Sequence, residues 1–116
     1  MAQITFRMAQ PEDTALILHF IRGLAVYEKM EDQVIATEEL LTEWLFEKQK
    51  AEVVIEEAAG KPVGFALFFH NFSTFLGRAG IYLEDLFVEP SERGKGYGKA
   101  LLTHLAQLAV ERGCGR

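Results

Sequence analysis

The residues best placed to do chemistry form the run Arg93-Gly94-Lys95-Gly96-Tyr97-Gly98, which has glycine at alternate positions. Glycine accepts left-handed backbone angles and lets a main chain come close to a ligand. A helical pattern follows, and the free N–H groups and positive dipole end of that helix would face the same space. Backbone of this kind binds phosphate, so the run predicts a phosphate site.

Two carboxylates, Glu84 and Asp85, stand in the strand-like segment that precedes the glycine loop. A carboxylate beside a reacting group can accept a proton during the reaction. Consecutive residues of a regular strand point to opposite faces. We therefore expect only one of the two carboxylates to face the site.

The elements that must position these residues follow from hydrophobic periodicity and capping signals. The predicted order is β-α-α-β-β-β-α. It comprises strands at residues 4–8, 52–57, 63–69 and 81–88, a helix at 11–28, a helix capped by Thr37, and a helix from Gly98 to Gly113. A helix after a strand and loop normally leads back to a parallel strand. The chain stops where that strand should begin, so it predicts a single domain, residues 1–116, that is C-terminally incomplete.

The stretch from 70 to 80 reads as a looser connection between two strands. Its apolar side chains are expected to cover the core rather than to form a dimer face; they are Phe72, Phe75 and Leu76.

Composition narrows the class of protein. A formal net charge of -5 argues against nucleic acid, whose binding surfaces are basic. No run of eighteen apolar residues is present, so no membrane partner is expected. The single cysteine, Cys114, fits a reducing compartment, and we expect a cytoplasmic protein with an inert thiol. His19, His70 and His104 lack ligand spacing, so no metal is expected.

Two other glycine motifs fail to match. A P-loop needs Gly-Lys followed by Ser or Thr and a glycine five residues earlier, but Ala100 follows Lys99 and Arg93 holds the earlier position. The dinucleotide fingerprint is spaced G-x-G-x-x-G, whereas these glycines are spaced G-x-G-x-G.

The loop does match the acyl-CoA-binding pattern R-x-x-G-x-G, beginning at Arg93. Two further segments, Leu-Ala-Val-Tyr-Glu at 24–28 and Ile-Tyr-Leu-Glu-Asp-Leu-Phe-Val at 81–88, complete a resemblance that spans the chain. On these segments the chain resembles the GNAT N-acetyltransferases, and within them the spermidine/spermine (diamine) branch and its bacterial relatives.

The resemblance implies an α/β GNAT fold with a mixed sheet that splays open after its fourth strand, here without the C-terminal strands and helix of that fold. It implies acetyl-CoA as co-substrate, with the pantetheine arm along the backbone of Leu86 and Val88 in the manner of an added strand. The diphosphate would bind mainly to main-chain N–H groups of the loop. The implied cofactor-binding residues are Leu86, Phe87, Val88, Arg93, Gly94, Lys95, Gly96, Tyr97, Gly98 and Lys99.

On the amine side, the resemblance implies Glu84 as catalytic base and substrate contact, with Tyr27 and Glu28 lining the amine groove. Neutralising a primary amine at pH 7 costs roughly 4–5 kcal/mol, and a base lowers that barrier. The implied reaction is an acetyl transfer from acetyl-CoA to a polyamine or diamine, by direct attack in a ternary complex. The resemblance also implies a homodimer.

Alternatives remain open from the sequence. The acceptor could be another amine, such as a lysine analogue, an amino acid or a protein N-terminus, or the chain could be a non-catalytic acyl-CoA-binding module. The resembled enzymes protonate the leaving thiolate with a tyrosine of a later helix. No residue here can be given that role, since Tyr82 and Tyr97 lie in other segments.

Overall fold

The computed structural model describes residues 3–115, and its elements follow the predicted order. Three helices and four strands make up the fold. They are β1 (Ile4–Met8), α1 (Thr14–Tyr27), α2 (Glu38–Leu41), β2 (Glu52–Ala58), β3 (Lys61–Ser73), β4 (Arg78–Val88) and α3 (Tyr97–Glu111).

The four strands form one sheet in the order β1-β2-β3-β4. Each strand pairs antiparallel with the next, as the pairs Ile4 with Ala58 and Gly64 with Val88 illustrate. The predicted sheet was mixed, and no parallel pair occurs within residues 3–115. Strand β4 is therefore an edge strand in the part of the chain that the structure describes.

Helices cover both faces of the sheet and bury two apolar clusters. On the face of α1 and α2 the buried residues are Ile17, Phe20, Leu45, Val53, Ile55, Phe65 and Phe87. On the face of α3 they are Val54, Ala66, Phe68, Leu101 and Leu105.

Local capping signals set two helix starts as predicted. Leu40 donates its backbone N–H to the Thr37 side chain at 3.2 Å, which caps α2. A 3-10 turn, Pro11–Asp13, leads into α1. The carboxylate of Asp13 accepts from the Arg7 guanidinium at 2.7 and 2.8 Å, which ties this turn to β1.

Gly23 sets how closely α1 approaches β4. A Cβ at this position would lie 2.8 Å from the ring of Phe87, a distance that real Cβ contacts do not reach. The absence of a side chain therefore lets the second half of α1 lie against β4. This contact brings the end of α1 near the end of β4.

The prediction of a loose connection at 70–80 is wrong. Strand β3 continues to Ser73 and β4 begins at Arg78, so the segment is the end of a long hairpin. Gly77 closes its turn with φ of 70° and donates its N–H to Ser73 O at 2.8 Å. Strand pairing extends almost to the turn, since Ser73 pairs with Arg78.

The prediction that the apolar side chains of this hairpin cover the core is also wrong. They lie largely in contact with solvent, and Phe75 is 98% exposed. The other two are Phe72 and Leu76, which are also exposed.

Candidate active site

The backbone of Leu86 and Val88 faces the open edge of β4. Glu89 donates its N–H to Val63 O at 2.8 Å, which marks these residues as a hydrogen-bonded pair of the antiparallel ladder. Bonded and non-bonded pairs alternate along such a ladder. Val88, opposite Gly64, therefore belongs to a non-bonded pair, as does Leu86. Their N–H and C=O groups point away from β3, where an extended ligand could pair with them.

The glycine loop bends through two left-handed residues. Gly94 has φ of 84° and Gly96 has φ of 82°, values that favour glycine. A Cβ on either would meet nothing within 4 Å, so the backbone angle, rather than crowding, requires glycine here. The loop faces open space.

Helix α3 starts at Tyr97, directly after the bend. Ala100 is the first residue of this region to donate its N–H within the protein, to Gly96 O at 3.0 Å. In the described part of the chain, the N–H groups of residues 94–99 donate no backbone hydrogen bond outside α3, and the first N–H groups of an α-helix have no partner within it. Free donors at a helix start attract anions.

A cavity of about 420 Å³ lies where the edge of β4, the end of α1 and the glycine loop meet. Leu24, Tyr27 and Glu92 form part of its wall. The rest consists of residues predicted to bind the cofactor, namely Leu86, Phe87, Val88, Arg93, Gly94, Gly96, Tyr97 and Gly98. The predicted Lys95 and Lys99 lie outside the lining.

The side chains of the loop do not all turn to this cavity. Tyr97 is only 7% exposed and packs with Ala58, Val63 and Val88, so it anchors the start of α3 in the core. Lys95 pairs with Glu92 at 3.2 Å on the surface, an ion pair that contributes little stability. The side chains of Tyr97 and Lys95 are thus engaged elsewhere than in the cavity.

Arg93 turns back toward the protein. Its Nε donates to Val88 O at 3.0 Å, and its guanidinium carbon lies 4.4 Å from the centre of the Tyr27 ring. Phe87 lies on the same side, with its ring centre 5.4 Å away. Tyr27, predicted for the amine groove, therefore lies beside the glycine loop.

The second group of candidates lies at a β-bulge in β4. Leu67 pairs with Asp85, whereas Phe68 pairs with Leu83, so Glu84 is an extra residue without a cross-strand partner. A bulge interrupts the alternation of side chains. The premise that Glu84 and Asp85 follow a regular strand is therefore wrong, although Glu84 itself is exposed.

Asp85, at this bulge, is affected by the charges of two other carboxylates. Burial raises the pKa of Asp85, and the charges of Glu84 and then Glu28 raise it further. Glu84 and Glu28, both predicted site residues, thus lie close enough to Asp85 for their charges to raise its pKa. Sequence reasoning did not assign Asp85, and only the pairing partner of each β4 residue could have revealed the bulge.

Other regions offer less chemistry. A larger cavity of about 570 Å³ lies between the end of β1, the start of β2 and residues 45–49, and it contains none of the predicted site residues. Within residues 3–115, no group of three His, Cys, Asp or Glu side chains could hold a metal ion. No helix of that range is long and apolar enough to cross a membrane.

Comparison with known proteins identifies the family. Residues 12–116 match the acetyltransferase (GNAT) family. The chain is 38% identical to the thialysine N-epsilon-acetyltransferase of Sus scrofa over 125 residues, which cover 100% of this chain and 73% of that protein. The chain belongs to the GNAT family of acetyltransferases.

Two further comparisons show the breadth of the GNAT family. A spermidine/spermine N(1)-acetyltransferase-like protein 1 of Homo sapiens is 30% identical over 98% of this chain and 17% of its own length. A predicted acetyltransferase of Clostridium acetobutylicum, crystallised with acetyl-CoA, has a TM-score of 0.79 at 20% identity, over 98% of this chain and 78% of that one. The latter shows a shared fold.

The GNAT assignment confirms the predicted family, the predicted fold class and the prediction of an acetyltransferase enzyme. GNAT enzymes use acetyl-CoA, which is the co-substrate that the sequence predicted for this chain. The predicted roles of individual residues remain predictions. Among residues 3–115, the tyrosine that protonates the thiolate in resembled GNAT enzymes still has no candidate. Tyr97 is buried in the core, Tyr82 stacks on Phe69, and Tyr27 lies under the Arg93 guanidinium.

Proposed function

We propose that the chain transfers an acetyl group from acetyl-CoA to a primary amine at the end of a short aliphatic chain. The observation that carries the proposal is the cavity where free N–H groups of residues 94–99 meet the unpaired backbone of β4. The first set suits a diphosphate and the second suits the amides of pantetheine. Few other ligands combine these two parts.

The donor set fits the diphosphate of CoA without a metal. Hydrogen bonds to a charged group contribute roughly 1.5–3 kcal/mol each, so several converging N–H groups could hold a dianion. The dipole of α3 adds to this attraction at its N-terminus. Along β4, the N–H and C=O of Leu86 and the N–H of Val88 are available to pantetheine, since Val88 O already accepts from Arg93.

The carboxylates Glu28, Glu84 and Asp85 would attract the amine and accept its proton. When bound, acetyl-CoA supplies a thioester carbonyl for direct attack by the neutral amine. A C–N bond forms, the C–S bond breaks, and the thiolate leaves with the electron pair. Glu84 would accept the surplus proton, directly or through water. Glu28 and Asp85 would attract the protonated amine before it reacts.

The acceptor that we propose first is the side-chain amine of a lysine analogue. Its support is the thialysine N-epsilon-acetyltransferase of Sus scrofa, which aligns with the whole chain. A polyamine or diamine is the second candidate, favoured by the three carboxylates Glu28, Glu84 and Asp85, which would suit more than one positive nitrogen. Both acceptors present the same reacting group, a terminal aliphatic amine.

Two measurements test the proposal. Isothermal titration with CoA should give one site, and removal of the diphosphate, by using pantetheine instead, should abolish most of the affinity. Turnover with acetyl-CoA should then be measured for thialysine, lysine, ornithine, putrescine and spermidine. A ranking led by thialysine supports the first acceptor, and one led by spermidine supports the second. CoA binding with no turnover of any amine would contradict the proposed function.

The predicted homodimer and the predicted cytoplasmic location stay predictions. Light scattering after size-exclusion chromatography measures the first. Fluorescence microscopy of the tagged protein in its host measures the second.

A further inference from the structure

The glycine loop is a short span between two anchored residues. At its far end Tyr97 is buried beneath α3, and at its near end Arg93 contacts the rest of the protein through its side chain. Only residues 94–96 lie between them. Gly94 and Gly96 have no side chains that could fix this span, so its conformation depends on the two ends.

Arg93 joins three separate elements. It precedes the bend in sequence, its Nε donates to the last residue of β4, and its guanidinium lies over the last residue of α1. Stacking on Tyr27 and bonding to Val88 O together define the plane of the guanidinium. A lysine could not reproduce this arrangement, because its ammonium has neither the planar face nor an Nε donor.

The position and exposure of Tyr27 suit its ring to contact the Arg93 guanidinium. It ends α1, just before the chain turns through Lys29, whose φ is 58°. Its ring is 66% exposed, so burial in the core does not explain its position. Within residues 3–115 its hydroxyl makes no hydrogen bond, and the ring face over which Arg93 lies is its main polar contact.

We propose that Arg93 and Tyr27 form a clamp that holds the glycine loop in its CoA-binding conformation, with Arg93 a positioning residue rather than a phosphate ligand. The clamp rests on the proposed function, since it serves the diphosphate cradle. It assigns Tyr27 to the cofactor side of the site instead of the amine side. It also links the end of α1 to the affinity for acetyl-CoA.

The test compares four variants with the wild-type protein: Tyr27→Phe, Tyr27→Ala, Arg93→Ala and the double alanine variant. The dissociation constant of CoA is measured by titration calorimetry. We expect a rise of about 5- to 10-fold for Tyr27→Ala and about 10-fold for Arg93→Ala, in line with a cation–π contact and one hydrogen bond. The double variant should match Arg93→Ala within about twofold, since coupled residues are not additive.

Two further readouts separate the clamp from a general structural role. Tyr27→Phe keeps the ring and should bind CoA as the wild type does. Steady-state kinetics of Tyr27→Ala should show a raised KM for acetyl-CoA with kcat and the KM of the amine unchanged. Arg22→Ala, which removes an exposed arginine of α1 away from the cavity, is the control and should change neither constant.

Hydrogen exchange of residues 93–98 in the free protein tests the clamp without CoA. Both alanine variants should speed exchange there, while exchange in β2 and β3 stays the same. The inference is overturned if Tyr27→Ala leaves loop exchange and CoA affinity unchanged while Arg93→Ala weakens binding, because Arg93 would then be a direct ligand. Should the wild-type protein fail to bind CoA, the proposed function fails, and loop exchange alone decides the clamp.

Discussion

The cofactor side and the amine side of the candidate site share strand β4 but are built differently. The cofactor side offers main-chain N–H groups beside a cavity of about 420 Å³, and the buried Tyr97 anchors the loop that carries them. The amine side consists of Glu84 and Asp85 at the bulge of β4 and of Glu28 after the end of α1, and none of the three lines that cavity. One side is set by backbone geometry, and the other by which side chains a local irregularity brings together.

This difference between the two sides indicates where in the site the specificity for a ligand can change. A cradle of N–H groups depends on glycine and on a helix start, so few substitutions preserve it. Exposed carboxylates such as Glu28 and Glu84 can be exchanged at little cost to the fold. We infer that relatives with the same cofactor side can act on different amines, as the names of the thialysine and spermidine/spermine relatives indicate.

The largest expected effect comes from breaking the cofactor side at Gly96. Valine there would have to adopt φ of 82°, which costs about 1–2 kcal/mol, and its side chain would enter the cradle. We expect Gly96→Val to raise the dissociation constant of CoA about 100-fold, or about 2.7 kcal/mol, in a titration experiment.

Gly60→Val is the matched control for that experiment. Gly60 has φ of 80° and equally open surroundings, but lies in the turn between β2 and β3, away from the cavity. It should lose comparable stability with unchanged CoA affinity. Equal CoA affinity in both variants would show that the loop does not bind the cofactor.

A second prediction concerns a buried carboxylate on the sheet face that α3 covers. Helix α3 begins at the glycine loop of the cofactor side. Glu56 is fully buried on the α3 face of β2, and neither of its carboxylate oxygens has a hydrogen-bond partner among residues 3–115. Burial raises its pKa from an ordinary value of 4.5 to about 7. The folded state therefore favours the protonated carboxyl, which is neutral.

The sign of the pH dependence follows from that raised pKa. Below about pH 4.5 the carboxyl of Glu56 is protonated in both the folded and the unfolded protein. Between about pH 4.5 and 7 it ionises only in the unfolded protein, so the free energy of unfolding falls as pH rises. The total loss is about 3 kcal/mol, and it levels off above pH 7. Urea unfolding of Glu56→Gln should lack this component of the slope.

Comparing variants separates the pH effect of Glu56 on stability from the effects of other titrating groups. Asp13 and Glu52 have lowered pKa values, because Arg7 and Arg112 donate hydrogen bonds to them, and they stabilise the fold as pH rises at the acid end. Glu39→Gln, at an exposed position of α2, should keep the wild-type slope. Parallel curves for wild type and Glu56→Gln from about pH 5 to 8 would rule out a buried neutral Glu56.

The sequence predicts the cofactor side of the site better than the amine side. Glycine spacing, the Thr37 cap and the start of α3 are local signals, and the predicted loop and helix starts are confirmed. The position of Asp85 depends on a bulge that only the pairing of β4 with β3 defines. The direction of Arg93 depends on Tyr27, 66 residues earlier, which no local pattern encodes.

A third prediction addresses the amine side alone. Glu84→Gln should lower kcat/KM for the amine about 10- to 100-fold, chiefly at neutral pH, because the amine loses its proton acceptor. The affinity for CoA should not change. Asp85→Asn should raise the KM of the amine with a smaller effect on kcat. Both are measured by initial rates at several pH values, with Glu39→Gln as the control for loss of a surface charge.

Unchanged rates for Glu84→Gln from about pH 6 to 9 would remove Glu84 from the mechanism. A loss of CoA affinity in the same variant would contradict the separation of the two sides.

The smallest effect is expected at the hairpin tip, which belongs to neither side. Phe75→Ser should change the free energy of unfolding by less than about 0.5 kcal/mol, since the ring is 98% exposed. Phe65→Ala, at a fully buried position, should cost about 3–5 kcal/mol in the same urea titration. A large loss for Phe75→Ser would mean that the tip is covered in solution.

The central claim is that backbone N–H groups of the glycine loop bind the diphosphate of CoA, and amide NMR of the nitrogen-15-labelled protein tests it most directly. On titration with CoA, but not with pantetheine, the amide signals of residues 94–99 should shift together and exchange more slowly with solvent. Shifts confined to the cavity near residues 45–53, or none at all, would contradict the account.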